Sequence, residues 1–278
     1  FFLNHLKLIG SRMSESDSLL RIMTVPVLED NYSYLIIDKL SHEAAVVDPV
    51  EPGKMVEAAR AEGVRITHLL TTHSHWDHAG GNAEMVKLVP DIRVYGGKGD
   101  GAAAVQVEVG HDDTLRVGGL HVRVLYTPCH TPGHVCYLVK GGGADTPAVF
   151  TGDTMFVAGC GNFNSGTPAM MHRAMVEVLG ALPPETLVYC GHEYTEKNLR
   201  FALTVEPDNE AIAAKLKQVR ELRAAGKFSV PSTIGDELAT NPFVRVSEPA
   251  VRAFAGKHDH VEVIAEVRRR KTEWGRSH

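Results

Sequence analysis

The chain has 278 residues, of which 44% are hydrophobic and 23% are charged, as in an ordinary folded globular protein with a sizeable core. Its formal net charge of −5 at pH 7 argues against broad binding to nucleic acid or to an anionic membrane surface, because both select a basic protein surface. Any anionic substrate must therefore meet a local group of basic side chains.

The first segment, residues 1–20, differs from the rest of the chain. It is too short and too mixed in polarity for a membrane span, so we exclude it from the fold as an N-terminal extension. It would be a transit-peptide remnant or an extension upstream of Met13 or Met23. The four cysteines lack C-x-x-C spacing and are expected to be reduced. We expect a cytoplasmic protein, or a mitochondrial one if residues 1–20 are a transit remnant.

From Arg21 onward the chain predicts short strands and then alternating strands and helices. Strands are predicted at residues 21–28, 32–38, 44–48 and 66–72, a turn at residues 30–31, and helices at residues 54–62 and 82–88. The third strand ends in Asp48, which is either a turn residue or a hydrogen-bond partner for a metal-bound histidine.

A polar loop follows the fourth strand. His73, His75, Asp77 and His78 fall within six residues, between a buried strand and a helix. Imidazole and carboxylate ligands suit zinc, iron or manganese, and two such ions about 3.5–4 Å apart form a common hydrolytic clamp. The alternative is a solvated loop with accidental histidines, which the fixed H-x-H-x-D-H spacing disfavours.

The second half predicts further strands whose ends carry polar side chains. Strands are predicted at residues 93–95, 105–109, 114–117, 120–126, 135–139, 148–151 and 187–190, a loop at residues 155–166 and a helix at residues 168–182. The strand ends deliver His130, Asp153 and His192, which suggests a site along one sheet edge. Asp153 has two oxygens with which to bridge two cations. We expect His134 to hydrogen-bond locally.

After about residue 195 the predicted strands stop. Helices are predicted at residues 196–205, 208–225 and 260–274, with a turn-rich connection at residues 231–243. The expected organisation is therefore a catalytic domain at residues 21–195 and a helical substrate-binding domain at residues 196–278. The seven candidate ligands suffice for two metal ions, and a metal-bridging hydroxide would then be available near pH 7 for hydrolysis of an activated acyl group.

Four motifs, THSHWDHAGGN, TPCHTPGH, FTGDTMFVAGCG and YCGHEYT, occur in an order and spacing that resemble the metallo-β-lactamase superfamily and, within it, the glyoxalase II (hydroxyacylglutathione hydrolase) family. The resemblance implies an α/β fold, an αββα sandwich with a C-terminal helical domain. It also implies a binuclear centre in which Asp153 bridges and Asp77 and Asp153 are catalytic. The implied ligands are His73, His75 and His130 for one metal and Asp77, His78 and His192 for the other.

The resemblance further implies a monomeric hydrolase that cleaves S-D-lactoylglutathione to D-lactate and glutathione. Zinc is the implied metal, and iron and manganese accept the same ligands. His192, Tyr194, Arg268 and Lys271 match positions that contact substrate. The loop Asn162, Phe163, Asn164 departs from the family's Lys-Phe-aromatic pattern, because amides replace a cation and an aromatic ring. We expect Asn162, Phe163 and Asn164 to contact substrate at this position.

Two other functions are compatible with the same residues. A glutathione persulfide dioxygenase with a mononuclear iron site shares the metal motif but typically lacks so long a basic helical tail. A metal-binding scaffold without turnover is the second alternative, which the complete set of seven ligands disfavours.

Overall fold

The computed structural model describes residues 18–142 and 146–277. Most of the proposed N-terminal extension, residues 1–20, thus lies outside the described residues, and the first strand begins at Leu20. Within the described ranges, no helix combines the length and the apolar character that a membrane crossing requires.

The first sheet contains, within the described part of the chain, strands β1 to β6 side by side in chain order. Their bounds are β1 Leu20–Val27, β2 Asn31–Asp38, β3 Glu43–Val47, β4 Arg65–Leu70, β5 Arg93–Gly97 and β6 Val107–Val109. The first three are antiparallel and β3 to β6 are parallel. Helices α1 (Pro52–Glu62) and α3 (Asn82–Leu88) connect parallel strands and cover the outer face with buried Met55 and Met85.

The second sheet has the order β14-β13-β10-β9-β8-β7 among the described residues. Its bounds are β7 Thr114–Val117, β8 Leu120–Tyr126, β9 Val135–Lys140, β10 Ala148–Gly152, β13 Leu187–Cys190 and β14 Ser232–Thr233. Strands β8, β10 and β13 all run in one direction, because β9 is antiparallel to β8 and β10 while β13 is parallel to β10. Their carboxyl ends therefore meet at one edge of the sheet.

A continuous aromatic and aliphatic core lies between the two sheets. Tyr34, Tyr137 and Phe150 are fully buried there, and the Tyr34 and Phe150 rings meet edge to face with centroids 5.2 Å apart. The outer face of the second sheet is covered by α4 (Pro168–His172) with its π-helical continuation (Arg173–Leu179), by α8 (Pro249–Ala255) and by α9 (His260–Ser277). The order helix, sheet, sheet, helix confirms the predicted αββα sandwich.

The C-terminal part is mainly helical but departs from the sequence expectation. Helices α5 (Thr195–Val205) and α6 (Glu210–Ala224) lie where helices were predicted, and they pack together. The expectation that strands stop near residue 195 is wrong, and residues 231–243, expected to be a turn-rich connection, contain a strand and a helix. Two residues there form β14 on the edge of β13, and α7 (Ile234–Thr240) follows, with the Thr233 hydroxyl accepting the Asp236 amide hydrogen. Elements this short have too few residues to show a hydrophobic period.

The predicted loop at residues 155–166 contains a small ribbon that the sequence did not indicate. Strand β11 (Met155–Phe156) pairs with β12 (Gly159–Cys160). The helical part holds this ribbon through buried amides: Asn198 donates to the Val157 carbonyl at 3.0 Å, and Asn241 donates to the Gly159 carbonyl at 3.0 Å. The helix predicted at residues 168–182 also ends earlier, at Leu179, and changes to π-helical geometry after His172. The ribbon thereby links the sandwich to the helices.

Candidate metal centre and adjoining cavity

All seven predicted ligands converge at one edge of the sandwich. His73 and His75 follow β4, and Asp77 and His78 lie on the short helix α2 (Trp76–Ala79). The remaining three, His130, Asp153 and His192, follow β8, β10 and β13, whose carboxyl ends share one edge. The parallel direction of these strands explains why residues far apart in the chain meet.

Three histidines form a first group. His75 Nδ1 lies 3.2 Å from His73 Nε2 and 3.1 Å from His130 Nε2, and these three candidate ligand atoms lie within 4.8 Å of one another. Burial lowers the pKa of His73 well below its usual value, and it also lowers the pKa of His75. Both rings are therefore neutral at pH 7, the form in which imidazole binds a metal.

A second group consists of Asp77, His78 and His192, again with ligand atoms within 4.8 Å of one another. His78 Nε2 lies 3.2 Å from His192 Nε2. The Asp77 carboxylate approaches the same two nitrogens at 3.6 and 3.4 Å. This group offers two nitrogens and one oxygen directed toward a common point.

Asp153 lies between the two groups. Its Oδ2 is 3.3 Å from His130 Nε2 and 3.5 Å from His192 Nε2, and its Oδ1 is 3.4 Å from His78 Nε2. Burial raises the pKa of this carboxyl, but the surrounding imidazoles, His78 first, bring it well below its usual value. The buried Oδ1 has no hydrogen-bond partner among the described residues. An ionised, buried carboxylate oxygen without a donor fits a position beside a cation.

Hydrogen bonds behind the ligands orient them. Asp48 accepts the Thr72 amide hydrogen at 2.8 Å and contacts His78 Nδ1 at 3.0 Å, so the sequence expectation of a histidine partner for Asp48 is confirmed. Asp30 Oδ1 lies 2.9 Å from His192 Nδ1. Such contacts direct the opposite ring nitrogen toward a metal and are typical of metal centres.

Asn31 donates its side-chain amide to Asp77 Oδ2 at 3.0 Å. Sequence reasoning missed the roles of Asp30 and Asn31, because Asp-Asn is an ordinary turn pair and its partners lie 162 and 46 positions away in the chain.

His134 is close to the centre without belonging to either group of ligands. Its Nδ1 contacts the hydroxyls of Thr127 and Thr154 at 3.1 and 3.0 Å, and its Nε2 accepts the Asp153 amide hydrogen at 3.2 Å. The prediction that His134 hydrogen-bonds locally is therefore confirmed. The ring supports the backbone that carries Asp153.

Glycines permit the close approach of the strand ends. A Cβ on Gly191 would lie 2.4 Å from Asp153 Oδ1, and one on Gly161 would lie 2.0 Å from the Asp153 carbonyl oxygen. Both distances are shorter than any van der Waals contact, so any side chain at either position would displace Asp153.

A cavity of about 420 Å³ opens beside the metal centre. His130 and Asp153 belong to both, so the cavity leads directly to the candidate ligands. The other lining residues are Phe156, Cys160, Gly161, Asn162, Tyr194, Lys197, Asn198, Arg268, Lys271, Thr272, Trp274 and Gly275. Among these lining residues, Lys197, Arg268 and Lys271 are cationic and Asp153 is the one acid. The cavity is therefore suited to an anion.

The predicted substrate contacts differ in whether they line the cavity. Tyr194, Asn162, Arg268 and Lys271 line the cavity. Phe163 packs against the hydrophobic cluster beneath α4, and exposed Asn164 is not part of the lining. His192 does not line the cavity itself, but its ring stacks against Tyr194, which does.

Sequence reasoning missed Lys197, Asn198 and Trp274 as lining residues. A lysine or tryptophan on an amphipathic helix carries no local sign of its neighbours, so no signal in the sequence pointed to them.

Comparison with known proteins agrees with this geometry. Residues 28–192 match the metallo-beta-lactamase superfamily, and residues 193–274 match the hydroxyacylglutathione hydrolase C-terminus. The chain is 50% identical over 256 residues to the cytoplasmic hydroxyacylglutathione hydrolase of Arabidopsis thaliana, covering 92% of this chain and 99% of that protein. It is 44% identical over 257 residues to hydroxyacylglutathione hydrolase of Methylococcus capsulatus, covering 91% and 98%. Among solved structures, ETHE1 from Myxococcus xanthus is similar with a TM-score of 0.65 and 28% identity over 89% of each chain.

Proposed function

Because the chain belongs to the hydroxyacylglutathione hydrolase family of the metallo-β-lactamase superfamily, it is a thioester hydrolase, and we propose that it cleaves S-D-lactoylglutathione to D-lactate and glutathione at a centre of two divalent metal ions. The observation that carries this proposal is the shared wall: His130 and Asp153 belong both to the metal centre and to a cationic cavity. A glutathione thioester is an anion whose reactive carbonyl must reach the metals.

The proposed ligand assignment follows the two groups of side chains. His73, His75 and His130 would hold one metal, Asp77, His78 and His192 would hold the other, and Asp153 would contribute to both sites. Zinc is the proposed metal, since imidazole with carboxylate suits it, although iron and manganese accept the same set. When bound, two such ions supply Lewis acidity and lower the pKa of a coordinated water to about 7.

The protein's own side chains position these components. Asn31 fixes the Asp77 carboxylate, and Asp30 and Asp48 fix the rings of His192 and His78. Tyr194 forms the wall beside His192, where the acyl group must lie to reach the centre. Arg268 and Lys271 in α9 provide positive charge for the glutathione carboxylates.

The leaving group explains why no strong general acid is needed in the cavity. A thiolate with a pKa of about 8.5 departs readily near neutral pH. The lining accordingly contains no carboxyl besides Asp153, whose pKa is held far too low for it to donate a proton at pH 7. The geometry therefore supports hydrolysis driven by positioning and by electrostatic stabilisation.

The persulfide dioxygenase alternative is not favoured. The ETHE1 structure is a distant neighbour, whereas the curated hydroxyacylglutathione hydrolases are 44–50% identical over nearly the whole chain. Helix α9, which supplies Arg268 and Lys271 to the cavity, belongs to the matched hydroxyacylglutathione hydrolase C-terminus. A functional distinction follows: the proposed hydrolase releases free thiol from the thioester without consuming oxygen.

The experiment that tests the proposal compares two substrates on the same metal-replete protein. We expect thiol release from S-D-lactoylglutathione with one D-lactate per thiol, and no oxygen uptake with glutathione persulfide. Oxygen uptake with the persulfide and no thiol release from the thioester would replace the proposal with the dioxygenase.

Cellular location and assembly belong to the same proposal. We place the protein in the cytoplasm, the location named for its Arabidopsis relative, and treat it as a monomer. The proposed catalytic and helical domains, residues 21–195 and 196–278, have their boundary close to the point where the two family matches meet, between residues 192 and 193. Sedimentation analysis tests the monomer, and cell fractionation tests the location.

A further inference from the structure

The three cations of the cavity come from two helices and differ in their contacts. Arg268 Nη1 donates to the Cys160 carbonyl at 3.0 Å, and the Lys271 ammonium donates to Asn198 Oδ1. Lys197, on the first turn of α5, is exposed and has no ion-pair or hydrogen-bond partner within residues 18–142 and 146–277. Of the three, it is the one with all its donors available to a ligand.

The acid beside Lys197 in the chain is already paired elsewhere. Glu196 accepts from Arg220 Nε of α6 at 2.8 Å. Lys197 instead lies close enough to Lys271 that its charge helps to lower the Lys271 pKa, after burial and Arg268. Like charges held close together raise the free energy of the empty cavity, and an anion relieves that repulsion.

The two carboxylates of the proposed substrate are farther apart than the cations of α9 alone can match. Glutathione carries two carboxylates at neutral pH, at opposite ends of an extended tripeptide, whereas Arg268 and Lys271 are three residues apart on one helix and converge on one place. The loop residue on the cavity wall, Asn162, is neutral. A second carboxylate therefore needs a cation from another element, and α5 supplies one.

We infer that Lys197 is a substrate-binding residue that holds one glutathione carboxylate, while Arg268 and Lys271 hold the other. This inference rests on the proposed function and assigns a contact that the sequence motifs do not indicate. Lys197 binds substrate and takes no part in bond cleavage, so its contribution is the same in the ground state and in the transition state.

The test is Lys197→Gln, which keeps a polar, flexible, slightly shorter side chain and removes its charge. The KM for S-D-lactoylglutathione should rise about 2- to 10-fold with kcat unchanged, the range for one exposed or partly buried hydrogen bond. Lys197→Arg should keep the parent KM. Lys217→Gln, at an exposed position on α6 outside the cavity lining, is the matched control and should change nothing.

Two further measurements separate binding from a structural effect. A small neutral lactoyl thioester without the tripeptide should be cleaved equally by the parent and by Lys197→Gln. Asn162→Lys in the Lys197→Gln background should recover KM for the glutathione thioester, because it returns a cation to the same cavity. The thioester of glutathione monoethyl ester, in which the glycyl carboxylate is blocked, identifies the carboxylate involved. If Lys197 binds the glycyl carboxylate, Lys197→Gln should not raise KM for this ester. If Lys197 binds the γ-glutamyl carboxylate, the rise in KM should persist.

The possible failures are distinguishable. A parent protein that cleaves S-D-lactoylglutathione with a KM equal to that of Lys197→Gln overturns this inference and leaves the proposed function intact. If Lys197→Gln raises KM equally for the small neutral thioester, the inference is also overturned, since binding of a glutathione carboxylate requires the tripeptide. A metal-replete parent that cleaves no glutathione thioester overturns the proposed function and this inference with it.

Discussion

The ring of Tyr194 stacks on the ring of His192, with centroids 4.7 Å apart and planes inclined by 6°. Tyr194 lines the cavity, and His192 is a candidate ligand of the metal centre. Because of this stack, the Tyr194 ring can affect both the position of the substrate and the orientation of His192. Removing only the hydroxyl of Tyr194 should therefore have a different effect from removing the whole ring.

Tyr194→Phe keeps the stack and removes the hydroxyl. We expect KM for the glutathione thioester to rise about 2- to 10-fold, with metal content unchanged, because one hydrogen bond is lost. Tyr194→Ala also removes an aromatic contact worth about 0.5–1.5 kcal/mol and leaves the His192 ring with less support, so kcat and metal retention should fall as well. Steady-state kinetics with elemental analysis checks both. Identical behaviour of the two variants would contradict the supporting role of the ring.

Removal of Asp153 should disturb both metals, and removal of His192 chiefly one. Asp153 approaches His130 of the first group and His78 and His192 of the second, whereas His192 belongs to the second group alone. Asp153→Ala is therefore expected to lower the metal-to-chain ratio well below that of His192→Ala. Elemental analysis after dialysis measures both, with His121→Ala, at an exposed position of β8, as the control. A tightly held single metal unaffected by His192→Ala would refute the binuclear centre.

The charge of Lys271 should make substrate binding depend on pH. Burial lowers its pKa to about 7, the like charges of Arg268 and Lys197 act in the same direction, and Cys160 opposes them. Below that pH the ammonium is charged and attracts a carboxylate; above it the amine is neutral. The value of kcat/KM for the glutathione thioester, which reports the free enzyme, should therefore fall as pH rises through about 7.

Lys271→Arg is the matched variant for this pH effect, since a guanidinium stays charged throughout. Its kcat/KM should lack the fall near pH 7. A neutral thioester without the tripeptide should show no such fall with either protein, and its profile corrects for titration at the metal centre. The same decline in the parent and in Lys271→Arg would assign the pH dependence to another group.

Arg268 and its neighbour Arg269 should differ sharply. Arg268 lines the cavity, whereas Arg269 is exposed and pairs with Glu266 and Glu273 on the same helix. Arg268→Ala removes a charge-assisted bond to a substrate carboxylate worth about 1.5–3 kcal/mol, so KM should rise about 10- to 150-fold. Arg269→Ala should leave KM near the parent value. High salt should raise the parent KM more than that of Arg268→Ala. Equal KM values for parent and Arg268→Ala would give α9 a purely structural role.

The sequence indicated the candidate ligands in two ways, by their spacing within one loop and by their place at strand ends. His73, His75, Asp77 and His78 share one loop, so their spacing alone indicated a metal centre. The sandwich and most strand positions followed from apolar runs that end in glycine, proline or aspartate. The hydrogen bonds that orient the ligands were not predicted. Asp30 and Asn31 contact residues 162 and 46 positions away, and no local sequence pattern indicates such contacts.

The missed elements share a physical cause. Strand β14 has two residues, and α7 has seven, so neither shows the periodicity on which strand and helix prediction depends. Lys197 was missed for a related reason: the sequence does not distinguish it from other exposed lysines on a helix. Its role depends on the packing of α9 nearby. Buried Glu237 is a further case: it accepts the Ala158 amide hydrogen at 2.8 Å and joins α7 to the β11–β12 ribbon, a role that only tertiary packing creates.

The most direct test of the account is a titration of metal-free protein with zinc, in which bound metal and thiol release from S-D-lactoylglutathione are measured on the same samples. The account predicts that turnover rises with bound metal and reaches its plateau at two ions per chain. Full turnover at one ion per chain, or no thiol release at two, would contradict a binuclear hydroxyacylglutathione hydrolase.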